Sequence, residues 1–129
     1  MTMASVVLDA SAVLALLANE RGAEQVQRAL GSALMSAVNL AEVLTKLGDR
    51  GVPQAEQRTI RTSLDIEIRR FDEAAAWTAS KLRNATKKYG LSMGDRACLA
   101  LALDEGLPVL TADRAWSTLD VGVKVRTLR

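Results

Sequence analysis

The chain has 129 residues, of which 49% are hydrophobic and 25% charged, with a formal net charge of +2 at pH 7. This composition is typical of a globular protein and excludes a disordered or fibrous chain, and the length suits a single domain over residues 1–129. The absence of His and the presence of one Cys exclude His-based catalysis, imidazole zinc sites and disulfides. Any metal site must therefore use carboxylates, and oxygen ligands favour Mg²⁺ or Mn²⁺.

The N-terminal sequence MTMASVVLDA predicts a first strand rather than a signal peptide, because no basic segment precedes its apolar residues. No apolar run approaches the roughly 18–20 residues that a membrane span needs. We therefore expect a cytoplasmic protein that does not cross a membrane.

Strand and helix patterns alternate along the rest of the chain. Apolar runs predict short strands at residues 5–9, 33–36, 64–71, 108–112 and 123–128. Helical patterns occupy residues 10–20, 22–31, 37–51, 53–63, 72–90 and 91–103. No linker or repeat interrupts this alternation, which predicts an α/β fold with a mostly parallel sheet of about five strands covered by helices.

Four carboxylates fall where such a sheet would gather functional groups, beyond the carboxyl ends of its strands. Asp9 ends the first strand, Asp113 follows the fourth, Asp95 begins an almost wholly apolar helix, and Glu42 lies in the helix after the second strand. Carboxylates that are brought together raise each other's pKa unless a cation neutralises them. Their convergence would predict a site for a divalent ion.

Three of these acids also have a local structural explanation. Asp9 is placed to cap the helix that follows it, and Asp113 is placed to form an Asx-turn. Ser92 and Asp95 match the capping-box pattern ahead of an apolar run. Taken one at a time, these positions do not distinguish a cap from a metal ligand.

Glu42 lies roughly opposite the apolar stripe of its helix, which consists of Leu40, Val43, Leu44 and Leu47. An ordinary surface pair with Lys46, four residues later, would explain it. Alternatively, the polar face of this helix lines a cleft, because Asn39 lies within about 60° of Glu42 on the same face.

The remaining side chains of interest are core candidates or basic residues. Cys98 and Trp77 are expected in the core. Arg96 and Arg114, each directly after an acid, would either form ion pairs or contact a phosphate. A basic middle and a basic tail would form either solvated helix faces or a surface for a phosphate backbone; their members are Arg58, Arg61, Arg69, Arg70, Lys81, Arg83, Lys87, Lys88, Lys124, Arg126 and Arg129.

Over its whole length the sequence resembles the PIN-domain nucleases, and among them the VapC-like toxins of type II toxin–antitoxin pairs. Three segments carry the resemblance: VVLDASAVLALLANE, MSAVNLAEVLTKL and LSMGDRACLALALDEGLPVLTADRAW. It implies a PIN-like three-layer α/β/α sandwich and a Mg²⁺- or Mn²⁺-dependent endoribonuclease that cuts structured RNA. It also implies a homodimer that a cognate antitoxin holds inactive.

The resemblance also assigns residues. Asp9, Glu42, Asp95 and Asp113 match the family's metal-binding acids. Ser11 and Thr111 match polar residues near the site, and Trp116 stands where an aromatic residue is common. Asp9 and Asp95 would be the principal ligands. Asp113 would bind directly or through water, and Glu42 would orient the attacking water or hold a second ion.

Two other functions remain open from the residues alone. An Asp-based phosphotransfer domain also places an Asp at a strand end, but a dehalogenase-like phosphatase needs a second Asp where this chain has Ser11. We find neither the paired acids nor the late Lys of a receiver domain, and a P-loop motif is absent. A module that grips RNA or a partner without cutting would need only a binding surface, whereas the nuclease would need a metal.

Overall fold

The computed structural model describes residues 3–128; Met1, Thr2 and Arg129, the last member of the basic tail, lie outside the described part. The strands are β1 (Val6–Leu8), β2 (Ala33–Ser36), β3 (Ile66–Arg69), β4 (Val109–Thr111) and β5 (Val125–Thr127). They form one sheet in the order β3-β2-β1-β4-β5, and every neighbouring pair is parallel. The predicted α/β class and parallel sheet are confirmed.

Helices connect the strands. They are α1 (Ala10–Leu17), α2 (Ala23–Ala29), α3 (Ala37–Asp49), α4 (Gln54–Ser63), α5 (Glu73–Lys81), α6 (Arg83–Thr86) and α7 (Met93–Glu105). Two short 3₁₀-helices span Lys87–Tyr89 and Arg114–Thr118. No helix in residues 3–128 has the length and apolar character that a membrane crossing requires.

The central strand β1 is buried on both faces, which gives the fold three layers. Val6 and Leu8 belong to one apolar cluster, together with residues of α1 and α3, whereas Val7 belongs to a second cluster with residues of α7. Alternate side chains of a strand point to opposite faces, so a strand covered on both sides is apolar throughout. This explains the uninterrupted VVL of β1.

The helix predicted over residues 72–90 is divided into α5, α6 and a 3₁₀-helix. The carbonyl of Ala79 accepts from the Leu82 backbone N–H at 3.3 Å and from Nη1 of Arg96 at 3.1 Å. Both bonds occupy a carbonyl that a continuous α-helix would pair with the backbone N–H of Arg83. The Arg96 side chain of α7 thus provides a hydrogen-bond donor for a backbone carbonyl at the C-terminal end of α5.

The expectation that Trp77 lies in the core is wrong, because its side chain is 62% exposed. Ala79, two residues later, is the buried residue of α5. At 100° per residue the two side chains point to nearly opposite faces of the helix. The indole Nε1 of Trp77 donates to Glu73 at 3.2 Å on the exposed face.

Helices α1 and α3 follow their strands without an intervening loop. Asp9 lies between β1 and α1, and it is the N-cap of α1. Ser36 is both the last residue of β2 and the N-cap of α3, and its side chain accepts from the Val38 backbone N–H at 3.2 Å. The carboxyl edge of the sheet therefore fixes where α1 and α3 begin.

Candidate active site

Asp9 is the most buried of the four candidate acids, with 5% of its surface exposed. Its Oδ1 accepts from the Ala12 backbone N–H at 2.9 Å, which confirms the predicted cap. Its Oδ2 accepts from the Thr111 hydroxyl at 2.6 Å, and the Ser11 hydroxyl lies at 2.8 Å and 2.9 Å from the two oxygens. Thr111 is the last residue of β4, so the neighbouring central strands jointly hold this carboxylate.

Backbone groups orient the two hydroxyls around Asp9. The Ala112 N–H donates to Ser11 Oγ at 2.9 Å, and the Asp113 N–H donates to Thr111 Oγ1 at 3.0 Å. Because each hydroxyl accepts from the backbone, its own proton is free to point toward the carboxylate. The rotamer of Asp9 is thereby fixed.

The pKa of Asp9 is raised from its usual 3.8 to about 6. Burial is the largest cause, and the negative charge of Asp95 adds to it. Hydrogen bonds from Thr111, Ala12 and Ser11 act in the opposite direction but do not offset the burial. A buried carboxylate that is short of positive charge is a favourable environment for a cation.

Asp95 lies in the first turn of α7 and forms the predicted capping box with Ser92. The Asp95 backbone N–H donates to the Ser92 hydroxyl at 3.1 Å, and the Ser92 N–H donates to Oδ2 of Asp95 at 2.9 Å. Since the second bond uses only Oδ2, the cap leaves Oδ1 for another partner. The start of a helix also favours a carboxylate electrostatically.

Glu42 is half-buried, and its partner is Asn39 rather than Lys46. Nδ2 of Asn39 donates to Oε1 of Glu42 at 2.8 Å and to the carbonyl oxygen of Gly94 at 3.0 Å. Asn39 is 1% exposed, so this amide ties α3 to the first turn of α7 from within the protein. The polar face of α3 thus packs toward the first turn of α7, and Glu42 does not form the surface pair with Lys46.

Three of the acids lie close enough to Cys98 for their charges to act on its thiol. Burial raises the pKa of this thiol well above its usual value, and the negative charges of Asp9, Asp95 and Glu42 raise it further. These carboxylates come from three different parts of the chain, yet all act on one side chain in the second turn of α7. Cys98 itself is fully buried, as predicted.

Asp113 is placed differently from the other three acids. Its exposed side chain accepts from the Ala115 backbone N–H at 3.0 Å and caps the 3₁₀-helix Arg114–Thr118. It joins the Asp9 network through its backbone N–H and Thr111. The structure therefore places Glu42 beside the turn of α7 that carries Asp95, with Asp9 in range of the Asp95 charge, and leaves the exposed carboxylate of Asp113 at the edge of the site.

The two arginines that follow acids do not pair with them. Arg96 donates to the carbonyl of Ala79, and within residues 3–128 the ion pairs are those that join Arg69 to Glu67 and to Glu105. Trp116 is 1% exposed and packs in the core rather than lining the site.

The donor set suits a hard divalent cation, because it consists of carboxylates near a buried, incompletely neutralised Asp9. In this side-chain arrangement, no three acidic or thiol groups of the described residues are placed to hold one ion. Mg²⁺ is commonly held by only one or two carboxylates and completes its shell with water. Asp9 and Asp95, whose negative charges act on each other, are the two acids that could supply such carboxylates.

The contact between Asn39 and the Gly94 carbonyl could not be predicted from the helical pattern. The pattern placed Asn39 and Glu42 on one face of α3 but did not indicate which element packs against that face. Gly94 received no role in the sequence analysis. Its only signal was the presence of a glycine in the first turn of an otherwise strong helix, directly before Asp95.

The sequence matches the family described as PIN domain over residues 6–122. A search of curated protein sequences gives no match.

Solved structures share the fold at low sequence identity. A toxin–antitoxin complex from Klebsiella pneumoniae has a chain with 21% identity and a TM-score of 0.73, covering 97% of this chain and 98% of that one. DNA-bound VapBC from Salmonella typhimurium gives 16% identity, a TM-score of 0.78, and 98% and 100% coverage. VapC20 of Mycobacterium tuberculosis, a toxin that cleaves the sarcin–ricin loop, has 19% identity and a TM-score of 0.73. The match covers 93% of this chain and 99% of that one.

Proposed function

Since this chain belongs to the PIN domain family, we propose that it is a Mg²⁺- or Mn²⁺-dependent endoribonuclease that hydrolyses phosphodiester bonds in structured RNA. The observation that carries the proposal is that three separate segments of the chain meet here: Asn39 ties Glu42 to the Gly94 carbonyl, directly before Asp95, and the charge of Asp95 acts on the buried Asp9. The raised pKa of Asp9 supports it, because a cation would relieve the cost of burying this charge.

Asp9 and Asp95 would hold the metal, which when bound lowers the pKa of a water molecule and stabilises charge on the phosphoryl group. Ser11 and Thr111 fix the Asp9 carboxylate, so its oxygens need not reorganise during the reaction. Glu42 would orient the attacking water or help to hold a metal ion, since Asn39 holds only its Oε1. Asp113, at the edge of the site, would contribute through water.

We propose further that the chain is the toxin of a toxin–antitoxin pair, acts as a homodimer in the cytoplasm, and is inhibited by a cognate antitoxin. The structural neighbours named above include a toxin–antitoxin complex and a VapBC complex. The likeness covers nearly the whole of both chains, so it extends over all the elements that carry the candidate acids.

Incubation of the purified chain with total RNA, in Mg²⁺ or in chelator, tests the activity. We expect cleavage in Mg²⁺ and none in chelator, and we expect Asp9→Asn to abolish it. Asp72→Asn is the matched control, because Asp72 also caps a helix but is exposed on α5. Cleavage by Asp9→Asn at the wild-type rate would refute the assignment, and RNA retention without cleavage would favour a binding module.

A further inference from the structure

The carboxyl group of Glu42 lies directly against Gly94. A Cβ atom built on Gly94 would lie 2.6 Å from Cδ and 2.7 Å from Oε1 of Glu42, and real Cβ atoms essentially never approach within 3.0 Å of such a neighbour. The three atoms nearest to that Cβ all belong to the Glu42 carboxyl group. Glu42 therefore occupies the space that any other residue at position 94 would fill.

The backbone does not require glycine at this position. Gly94 lies in the first turn of α7, and it is not among the glycines of the described residues that have a positive φ. Alanine forms helices more readily than glycine, so local helix stability would favour a larger residue. The absence of a side chain at position 94 instead leaves room for the carboxyl group of Glu42.

Asn39 prevents Glu42 from moving aside without cost. Its Nδ2 bridges Oε1 of Glu42 and the Gly94 carbonyl. Turning the amide over would place its oxygen against these two acceptors, so its orientation is determined. The two contacts therefore hold Glu42 between a buried amide on α3 and a bare backbone on α7.

We propose that Gly94 is a positioning residue for Glu42: by lacking a side chain, it lets the Glu42 carboxylate reach the turn of α7 that carries Asp95. This inference rests on the proposed function for its catalytic consequence, but the contact itself exists in the metal-free protein. Gly94→Ala should displace Glu42, weaken Mn²⁺ binding and cleavage by about 10- to 100-fold, and leave the protein folded.

Gly48→Ala is the matched control. Gly48 is also a helical glycine, near the end of α3, and a Cβ there would lie 3.5 Å from Nε2 of Gln57, an ordinary contact. We expect this variant to keep wild-type Mn²⁺ binding and cleavage. A loss of function in both alanine variants would mean that glycine-to-alanine changes act generally, and it would overturn the proposal.

A double-mutant cycle tests whether Gly94 acts on metal binding through Glu42. Mn²⁺ binding is measured by titration calorimetry for the wild type, Gly94→Ala, Glu42→Ala and the double variant. If Gly94 acts through Glu42, adding Gly94→Ala to Glu42→Ala has no further effect, because the overlapping carboxyl group is gone. An equal loss in both backgrounds would overturn the proposal, and so would a Gly94→Ala variant that binds Mn²⁺ as the wild type does.

The metal-free protein provides a second readout. In Gly94→Ala the NMR resonances of the Asn39 side-chain amide should shift toward those of the Glu42→Ala variant, and in Gly48→Ala they should stay at the wild-type position. Unchanged Asn39 resonances in Gly94→Ala would refute the contact. If the wild type neither binds Mn²⁺ nor cleaves RNA, the proposed function fails, whereas this measurement still decides whether Gly94 positions Glu42.

Discussion

Replacing Asp9 with Asn should stabilise the metal-free protein at neutral pH. The folded protein keeps the Asp9 proton up to about pH 6, whereas an unfolded chain releases it near the usual pKa of 3.8. The protonated Asp9 carboxyl group makes its full contribution to the free energy of unfolding below pH 3.8, and this contribution is lost as the pH rises through about 6. A pKa difference of about 2 corresponds to about 3 kcal/mol in the free energy of unfolding above that window.

The amide side chain of the Asp9→Asn variant recovers only part of this free energy. Its NH₂ group cannot accept from Thr111 or Ser11, so one hydroxyl must turn, at a cost of about 1 kcal/mol. We therefore expect Asp9→Asn to be more stable than the wild type by about 2 kcal/mol at pH 7.5, with the advantage disappearing toward pH 4. The sign is opposite to the usual effect of removing a buried hydrogen-bonded group.

Urea unfolding in chelator, at pH values between 4 and 7.5, measures this difference. Asp72→Asn is again the control and should change the unfolding free energy by only a few tenths of a kcal/mol, because Asn is also a good N-cap. Added Mg²⁺ should stabilise the wild type and leave Asp9→Asn unchanged. Parallel pH profiles for the wild type and Asp9→Asn would show that burial of the Asp9 charge carries no cost.

Two further predictions separate structural from functional roles. Ser92→Ala should lower the free energy of unfolding by about 1 kcal/mol and retain RNA cleavage, whereas Asp95→Asn should keep the cap and lose cleavage. Thermal unfolding and a cleavage assay measure both effects. Cleavage by Asp95→Asn would show that Asp95 acts only as a cap. Trp77→Ala should change the unfolding free energy by less than about 0.5 kcal/mol, because the ring is exposed; a loss of several kcal/mol in urea unfolding would contradict its exposed position.

The order of strands and helices could be read from the sequence because each element has a strong local signal. The runs around Val7, Leu34 and Val109 are apolar on both faces, as a central parallel strand requires. The division of residues 72–90 was missed because it depends on a bond from Arg96, a residue in another helix. Trp77 was misplaced because an aromatic residue in an amphipathic segment does not by itself reveal its face.

The candidate site was predictable in part for a similar reason. Asp9 and Asp95 occupy a strand end and a helix start, so their positions follow from the elements that carry them. The partner of Glu42 depends on how α3 packs against α7, and neither Asn39 nor Gly94 carries a local signal of that packing. The resemblance to PIN domains implies roles for the acids but does not indicate the contacts that hold Glu42.

The junction at Ser36 has a consequence for how this site tolerates changes in chain length. Because one residue ends β2 and caps α3, there is no loop to absorb an insertion. One extra residue between Ser36 and Asn39 would turn the rest of α3 by about 100° relative to the sheet, and Glu42 would point away from α7. Relatives that keep this site should therefore vary in length elsewhere, at the turns remote from this edge of the sheet.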